Sequence, residues 1–74
     1  MNALNAPKLW WVLARLDQES GSEEFFAMED TAEALDSMIE TQTPGVEIEY
    51  ESGPYERYSE ARRRVELLQR ARDR

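Results

Sequence analysis

The sequence predicts a small α+β domain in which a three-stranded antiparallel sheet carries two helices, in the order β-β-α-β-α. Three observations lead to this fold class. The chain has 74 residues, which is enough for one small domain. Residues 8–17 form its most apolar run, as expected of a central strand that is covered on both faces. Residues 46–51 alternate strictly between apolar and acidic side chains, which indicates a half-buried strand.

The first strand is predicted over Lys8–Asp17. Alternate residues of a strand point to opposite faces of the sheet. One face of this strand carries Trp10, Val12, Ala14 and Leu16, and the other carries Leu9, Trp11 and Leu13. Because both faces are apolar, the strand is expected in the middle of the sheet, which gives the strand order 2-1-3.

A hairpin is predicted after the first strand. Residues 17–23 are polar, and Gly21 can take the positive φ that such a turn requires. The return strand runs over Glu24–Met28, with Phe25 and Phe26 on opposite faces. The third strand, Val46–Glu51, then pairs with the other side of the first strand.

Capping residues and helix breakers delimit two helices. Asp30 is predicted as the N-cap of the first, which runs over about residues 31–41, and Glu33 would complete a capping box. Pro44 and Gly45 follow its end. The second helix is predicted over about residues 55–71, with Pro54 near its first position.

The position of the second helix decides whether one apolar face of the sheet stays exposed as a binding surface. A right-handed crossover is expected to put the first helix on the Trp10 face, together with Phe26 and Met28. The other face would then show an apolar patch, which we predict as a partner-binding surface: Trp11, Leu13 and Phe25. The alternative is that the second helix folds over this face and hides it.

Two parts of the chain are distinguished: residues 1–7 as a loose leader and residues 8–74 as a single domain. The leader lacks the basic start and the long apolar stretch of a signal peptide. Leu9–Ala14 is too short to span a bilayer. The absence of cysteine fits a reducing compartment. We therefore expect a cytoplasmic protein without membrane contact, in the host cytoplasm if it is phage-encoded.

The formal net charge is −7, and it is unevenly distributed. Residues 1–51 carry 2 basic and 12 acidic side chains, whereas residues 52–74 carry 7 basic and 4 acidic ones. An acidic partner-binding face is predicted from Glu47, Glu49, Glu51, Glu29, Asp36 and Glu40. Alternate residues on one strand face lie about 7 Å apart, close to the spacing of phosphates along a DNA strand. The alternative is a solvated face that keeps the protein in solution.

The composition gives little support to catalysis or to cofactor binding. The chain contains no histidine and no cysteine, and Lys8 is its only lysine. Zinc rarely accepts a site built from carboxylates alone. Arg62, Arg63 and Arg64 point in three directions on a helix, so they do not predict direct binding of nucleic acid. We therefore expect no enzyme activity, no cofactor and no metal site.

These observations predict a non-enzymatic, small acidic binding protein. It would act as an inhibitor or adaptor that docks on a basic, nucleic-acid-handling protein. In size and charge the chain resembles small phage-encoded inhibitors such as anti-CRISPR proteins and DNA mimics. The alternative function is a structural or assembly module, a homodimer that pairs apolar sheet faces through Trp11 and Phe25.

Overall fold

The protein was analysed as a computed structural model, which describes residues 7–41 and 43–73. Its elements are β1 (Leu9–Asp17), β2 (Glu23–Asp30), α1 (Ala32–Glu40), β3 (Val46–Tyr55) and α2 (Tyr58–Arg72). The predicted α+β fold with the order β-β-α-β-α is therefore confirmed. The predicted leader lies outside the described residues except for Pro7, which is exposed.

The strands form one sheet in the order β2-β1-β3, and β1 is antiparallel to both neighbours. The prediction that the first strand is central is confirmed. Its middle residues, Trp11–Ala14, are all buried. Burial at four consecutive positions of a strand requires cover on both faces, because successive side chains point to opposite sides.

The pairing of β1 with β2 decides which side chains share a face, since directly opposite residues of an antiparallel pair point to the same side. Leu13 lies opposite Phe26, and Trp11 lies opposite Met28. The prediction that Phe26 and Met28 share the face of Trp10 is therefore wrong. A slip of this register by one residue would move every side chain of β2 to the other face.

Helix α1 covers the face that carries Trp11 and Leu13. These two side chains form a buried cluster with Leu35 of α1. Half-buried apolar side chains surround this cluster: Leu9, Phe26, Met28, Met38, Ile39 and Ile48. The prediction that the first helix covers the Trp10 face is wrong, because the register places the large apolar residues of β2 beside Trp11 instead.

Helix α2 covers the opposite face of the sheet. Val12 and Ala14 are buried on this side, as is Ala61 of α2. The rings of Trp10 and Tyr58 lie 4.9 Å apart between centroids. The C-terminal helix therefore does cover a sheet face, as one alternative stated, but that face is the one of Trp10. Neither helix in the described ranges is long and apolar enough to cross a membrane.

The hairpin loop forms as predicted. Gly21 has a φ of 76°, and its amide donates to the carbonyl oxygen of Asp17 over 2.7 Å. The Asp17 carboxylate accepts from the amides of Glu19 and Ser20 at 2.9 and 3.2 Å. These bonds satisfy the backbone of the turn locally, so its polar sequence needs no partner from the core.

The start of α1 differs from the prediction by one residue. Asp30 is the last residue of β2, where it pairs with Leu9. Thr31 is the N-cap, and its hydroxyl oxygen accepts from the amide of Ala34 over 3.2 Å. The predicted capping box of Asp30 and Glu33 is therefore wrong. The sheet holds Asp30 in the ladder, and the next residue able to cap takes that role.

Strand β3 is longer than predicted, and α2 starts later. The strand continues through Ser52, Gly53 and Pro54 to Tyr55, which pairs with Trp10. The prediction that Pro54 opens the second helix is wrong. Glycine and proline are tolerated here because β3 is an edge strand with irregular register, so an absent N–H on its outer side costs little.

Candidate protein-binding site

An apolar groove runs between α1 and β3. It encloses about 420 Å³ and is lined by Trp11, Ala32, Leu35, Asp36, Ile39 and Tyr50. A second pocket shares Trp11 and Ala32 with it and continues past Thr31 to Pro7 and Pro54. The two pockets together form one continuous concave strip along α1, which we call the α1–β3 groove.

The floor of the α1–β3 groove is held by polar contacts at its edges. The indole Nε1 of Trp11 donates to the carbonyl oxygen of Asp30 over 2.9 Å. The ring of Tyr50 stands edge-on to the indole, with centroids 6.1 Å apart and an interplanar angle of 64°. The Tyr50 hydroxyl donates to the carbonyl oxygen of Gly53. Both aromatic side chains are thus fixed, yet Tyr50 remains 49% exposed.

The elements that flank this groove carry acidic residues and no basic ones. Helix α1 contributes three carboxylates and β3 contributes three more, and neither contains lysine or arginine. These six residues are Glu33, Asp36, Glu40, Glu47, Glu49 and Glu51. Five of the six predicted acidic-face residues belong to this group. Asp36 lines the groove itself, and Glu33 lines its continuation.

The predicted ladder of three glutamates on β3 is interrupted by a bulge. Glu47 and Glu49 lie opposite Leu16 and Ala14 of β1 and so share the face that α2 covers. Leu13 pairs with Tyr50 and Val12 pairs with Ser52, which leaves Glu51 as the extra residue between them. The regular spacing of about 7 Å therefore holds for Glu47 and Glu49 and not for Glu51.

Glu29 is separated from the other predicted acidic residues. It lies on β2 opposite Trp10, whereas β3 occupies the other side of β1. Strands in a sheet are about 4.8 Å apart, so about 10 Å separates the two outer strands. The predicted acidic face is thus divided between the two sides of the sheet. Asp36 and Glu40 lie on α1, whereas the register places Glu29, Glu47 and Glu49 on the face of Trp10.

The predicted apolar patch does not form a single surface. Phe25 pairs with Ala14, so it lies on the α2 side of the sheet, whereas Trp11 and Leu13 lie under α1. Leu13 is fully buried and Trp11 is 8% exposed. The strand register splits these three residues, because Phe26 rather than Phe25 faces the same way as Leu13. The surface on which the homodimer hypothesis rested is therefore absent among the described residues.

Helix α2 carries the opposite charge on the other side of the sheet. It contains five arginines and two glutamates. Among residues 7–41 and 43–73, the only ion pair joins Arg62 and Glu66 of this helix, at 3.3 Å. Arg62 and Arg63 line one shallow pocket together with Arg70, whereas Arg64 is not part of it. In these parts of the chain no arginine of α2 forms an ion pair with a carboxylate of α1 or β3.

Within the described ranges no group of three or more acidic side chains is arranged to hold a metal ion. Comparison of the chain with protein-family models, with curated proteins and with solved structures gives no match.

Sequence reasoning found the acidic residues and missed the groove. The alternation over residues 46–51 predicts that Tyr50 points inward, and the helical spacing of Leu35 and Ile39 predicts that both belong to a buried stripe. The signal that points to a groove is their combination. A short helix of nine residues, Ala32–Glu40, cannot cover the whole length of a sheet face whose outer strand has ten.

Proposed function

We propose that this protein is a non-enzymatic acidic binding protein that docks on a basic, nucleic-acid-handling protein through the α1–β3 groove and its carboxylates. The partner would place an apolar anchor side chain in the groove and basic side chains on Glu33 and Asp36, which line it. An inhibitor or adaptor of the small phage-encoded type, acting in the cytoplasm, is the biological role that this surface fits.

The observation that carries the proposal is the separation of charge between the elements. Helix α1 and strand β3 carry six carboxylates and no basic residue, whereas α2 carries five arginines against two glutamates. A side with one sign of charge attracts an oppositely charged partner over a distance and orients it on approach. Carboxylates without ion-pair partners are available to such a partner.

The groove adds specificity to this attraction. Charged rims raise association rates and select partners, whereas buried aromatic and aliphatic contacts supply most of the affinity. The groove offers Trp11, Leu35 and Tyr50 as an apolar surface directly beside Asp36. A basic protein that presents an apolar side chain between lysines or arginines would satisfy both parts. Competition with nucleic acid follows, because the same basic residues would otherwise contact phosphates.

The immobilised chain is first used to retain a basic partner protein at low salt. The test then measures whether the chain competes with nucleic acid for that partner. The protein is expected to displace DNA or RNA from that partner, and displacement should weaken as salt shortens the screening length from about 10 Å at 0.1 M to about 3 Å at 1 M. The double variant Glu33→Lys with Asp36→Lys, at the two exposed carboxylates that line the groove and its continuation, should weaken binding about tenfold or more. Each exposed pair contributes roughly 0.2–1 kcal/mol, and reversal replaces attraction with repulsion.

Two matched controls make the result specific to this site. Glu19→Lys with Glu56→Lys makes the same change in net charge at exposed positions away from the groove. Tyr50→Ala should weaken binding, whereas Tyr58→Ala should not, although both tyrosines are 49% exposed and Tyr58 lies on the α2 side. Equal effects of the two charge variants, or binding unchanged by salt, would show that the proposal is wrong.

A further inference from the structure

The outer edge of β2 offers a second kind of contact to the same partner. The strand order β2-β1-β3 places β2 at one edge, and no strand pairs with its outer side in the described parts of the chain. An edge strand presents unpaired N–H and C=O groups, which form a template for one more strand. Such strand addition is a common mode of peptide recognition.

The hairpin identifies which backbone groups of β2 point outward. The Asp17 amide donates to the carbonyl oxygen of Ser22 over 2.8 Å, and Leu16 lies opposite Glu23. In an antiparallel pair, hydrogen-bonded and non-hydrogen-bonded positions alternate. The backbone groups of Glu24, Phe26 and Met28 therefore point towards β1. Those that point to the outer edge belong to Glu23, Phe25, Ala27 and Glu29.

One outward carbonyl already accepts a hydrogen bond from a cation. The guanidinium of Arg72, near the end of α2, donates to the carbonyl oxygen of Glu23. This contact confirms the orientation of Glu23 and shows that a basic side chain can reach this edge. Phe25, Ala27 and Glu29 continue the same edge beyond it.

The charge pattern of β2 selects the occupant of the edge. Two acidic residues stand at each end of the strand, Glu23 with Glu24 and Glu29 with Asp30, and the apolar segment 25–28 lies between them. A second copy of β2 would place acidic ends against acidic ends in either orientation, which is unfavourable. A segment with basic ends and an apolar centre would place opposite charges together at both ends.

We infer that the outer edge of β2 binds an extended segment of the basic partner as a fourth strand, with apolar residues at its centre and lysine or arginine at both ends. The inference rests on the proposed function for the basic character of the partner. It adds a backbone contact on β2 to the groove between α1 and β3. The two surfaces lie at different edges of the sheet, so variants can separate them.

The probe is a short peptide with two arginines at each end and alternating valine and threonine between them. Its matched control carries glutamates in place of the arginines. Amide hydrogen exchange is measured on the unaltered protein with and without peptide. At ten times the dissociation constant, mass action should slow the exchange of the outward amides of Phe25, Ala27 and Glu29 about tenfold. The inward amides of Phe26 and Met28 should change little, and the glutamate peptide should have no effect.

Two variants test the contact from the side of the protein. Ala27→Pro removes an outward N–H, which an edge strand tolerates, and it should abolish peptide binding while circular dichroism stays unchanged. Glu29→Lys should weaken binding about tenfold, whereas Glu49→Lys on β3, with the same change in charge, should not. If Ala27→Pro does not fold, the exchange measurement on the unaltered protein decides.

Three results would overturn the inference. The first is that the arginine peptide binds without slowing exchange at Phe25, Ala27 and Glu29. The second is that this peptide does not bind at all. The third is that the free protein dimerises and that dimerisation alone protects these amides. None of them decides the proposed function, because that depends on the Glu33 and Asp36 variants against the partner protein. Conversely, loss of the β2 contact with the groove contact intact would leave the proposed function standing.

Discussion

Replacement of Leu13 by alanine tests the central assignment of the fold. Leu13 has no exposed surface and lies in the cluster with Trp11 and Leu35. Truncation of a leucine at such a site removes transfer free energy and leaves a cavity, which together cost about 2–5 kcal/mol. A domain of this size has a total stability of roughly 4–11 kcal/mol, at about 0.05–0.15 kcal/mol per residue. Leu13→Ala should therefore remove between a fifth of that stability and all of it.

Urea unfolding followed by circular dichroism measures the effect. With a slope of about 1 kcal/mol per molar urea, typical of the smallest domains, the midpoint should fall by about 2 M or more. Leu67→Ala is the matched control, because Leu67 lies on α2 and is 47% exposed. Its effect should stay within about 0.5 kcal/mol. A similar small cost at both positions would mean that Leu13 lies on an open face, and the assignment of α1 as its cover would be wrong.

Two further predictions concern glycine substitution and the exposure of the two tryptophans. Gly53→Ala should destabilise the protein more than Gly21→Ala, by on the order of 1–2 kcal/mol in thermal or urea unfolding. Both glycines have positive φ, but a Cβ at Gly53 would lie 3.1 Å from the carbonyl oxygen of Trp10, whereas Gly21 has open space; equal costs would contradict this. In acrylamide quenching, Trp10→Phe, which retains the buried Trp11, should be quenched less than Trp11→Phe, which retains the half-buried Trp10. The reverse order would contradict the burial of Trp11 under α1.

The strand order could be predicted because its signals are local. Apolar residues on both faces of β1 require a central position, and the alternation that begins at Val46 requires an edge or half-buried strand. The turn at Gly21 follows from its own sequence. None of these inferences depends on a distant contact, so the folded structure agrees with each of them.

The distribution of residues between the two faces could not be predicted in the same way. It depends on which residue of β2 lies opposite Leu13, and a shift by one position exchanges Phe25 for Phe26. The loop sequence is compatible with more than one hairpin register, so the packing of the whole sheet decides which register forms. The prediction of one apolar patch from Trp11, Leu13 and Phe25 is wrong for this reason.

Tertiary contacts also overrode two local signals for helix starts. Asp30 is a good N-cap residue, but its backbone pairs with Leu9 and its carbonyl accepts from the Trp11 indole. Pro54 is typical of a first helical position, but β3 continues so that Tyr55 pairs with Trp10. In both cases the sheet ladder extends until its partner strand ends, and the helix begins afterwards.

The acidic residues were predicted as one face, and their actual distribution has a different consequence. Interspersed charges would keep the protein in solution without giving it a direction. Here α1 and β3 carry six carboxylates and no basic residue, whereas α2 carries five arginines, of which Arg62 pairs with Glu66 of its own helix. Such a separation adds repulsion within the acidic side, and folding would be favoured by pairing each acid with a nearby arginine instead. A basic partner that binds between α1 and β3 relieves this repulsion, so binding should stabilise the fold by more than the contacts at the groove alone.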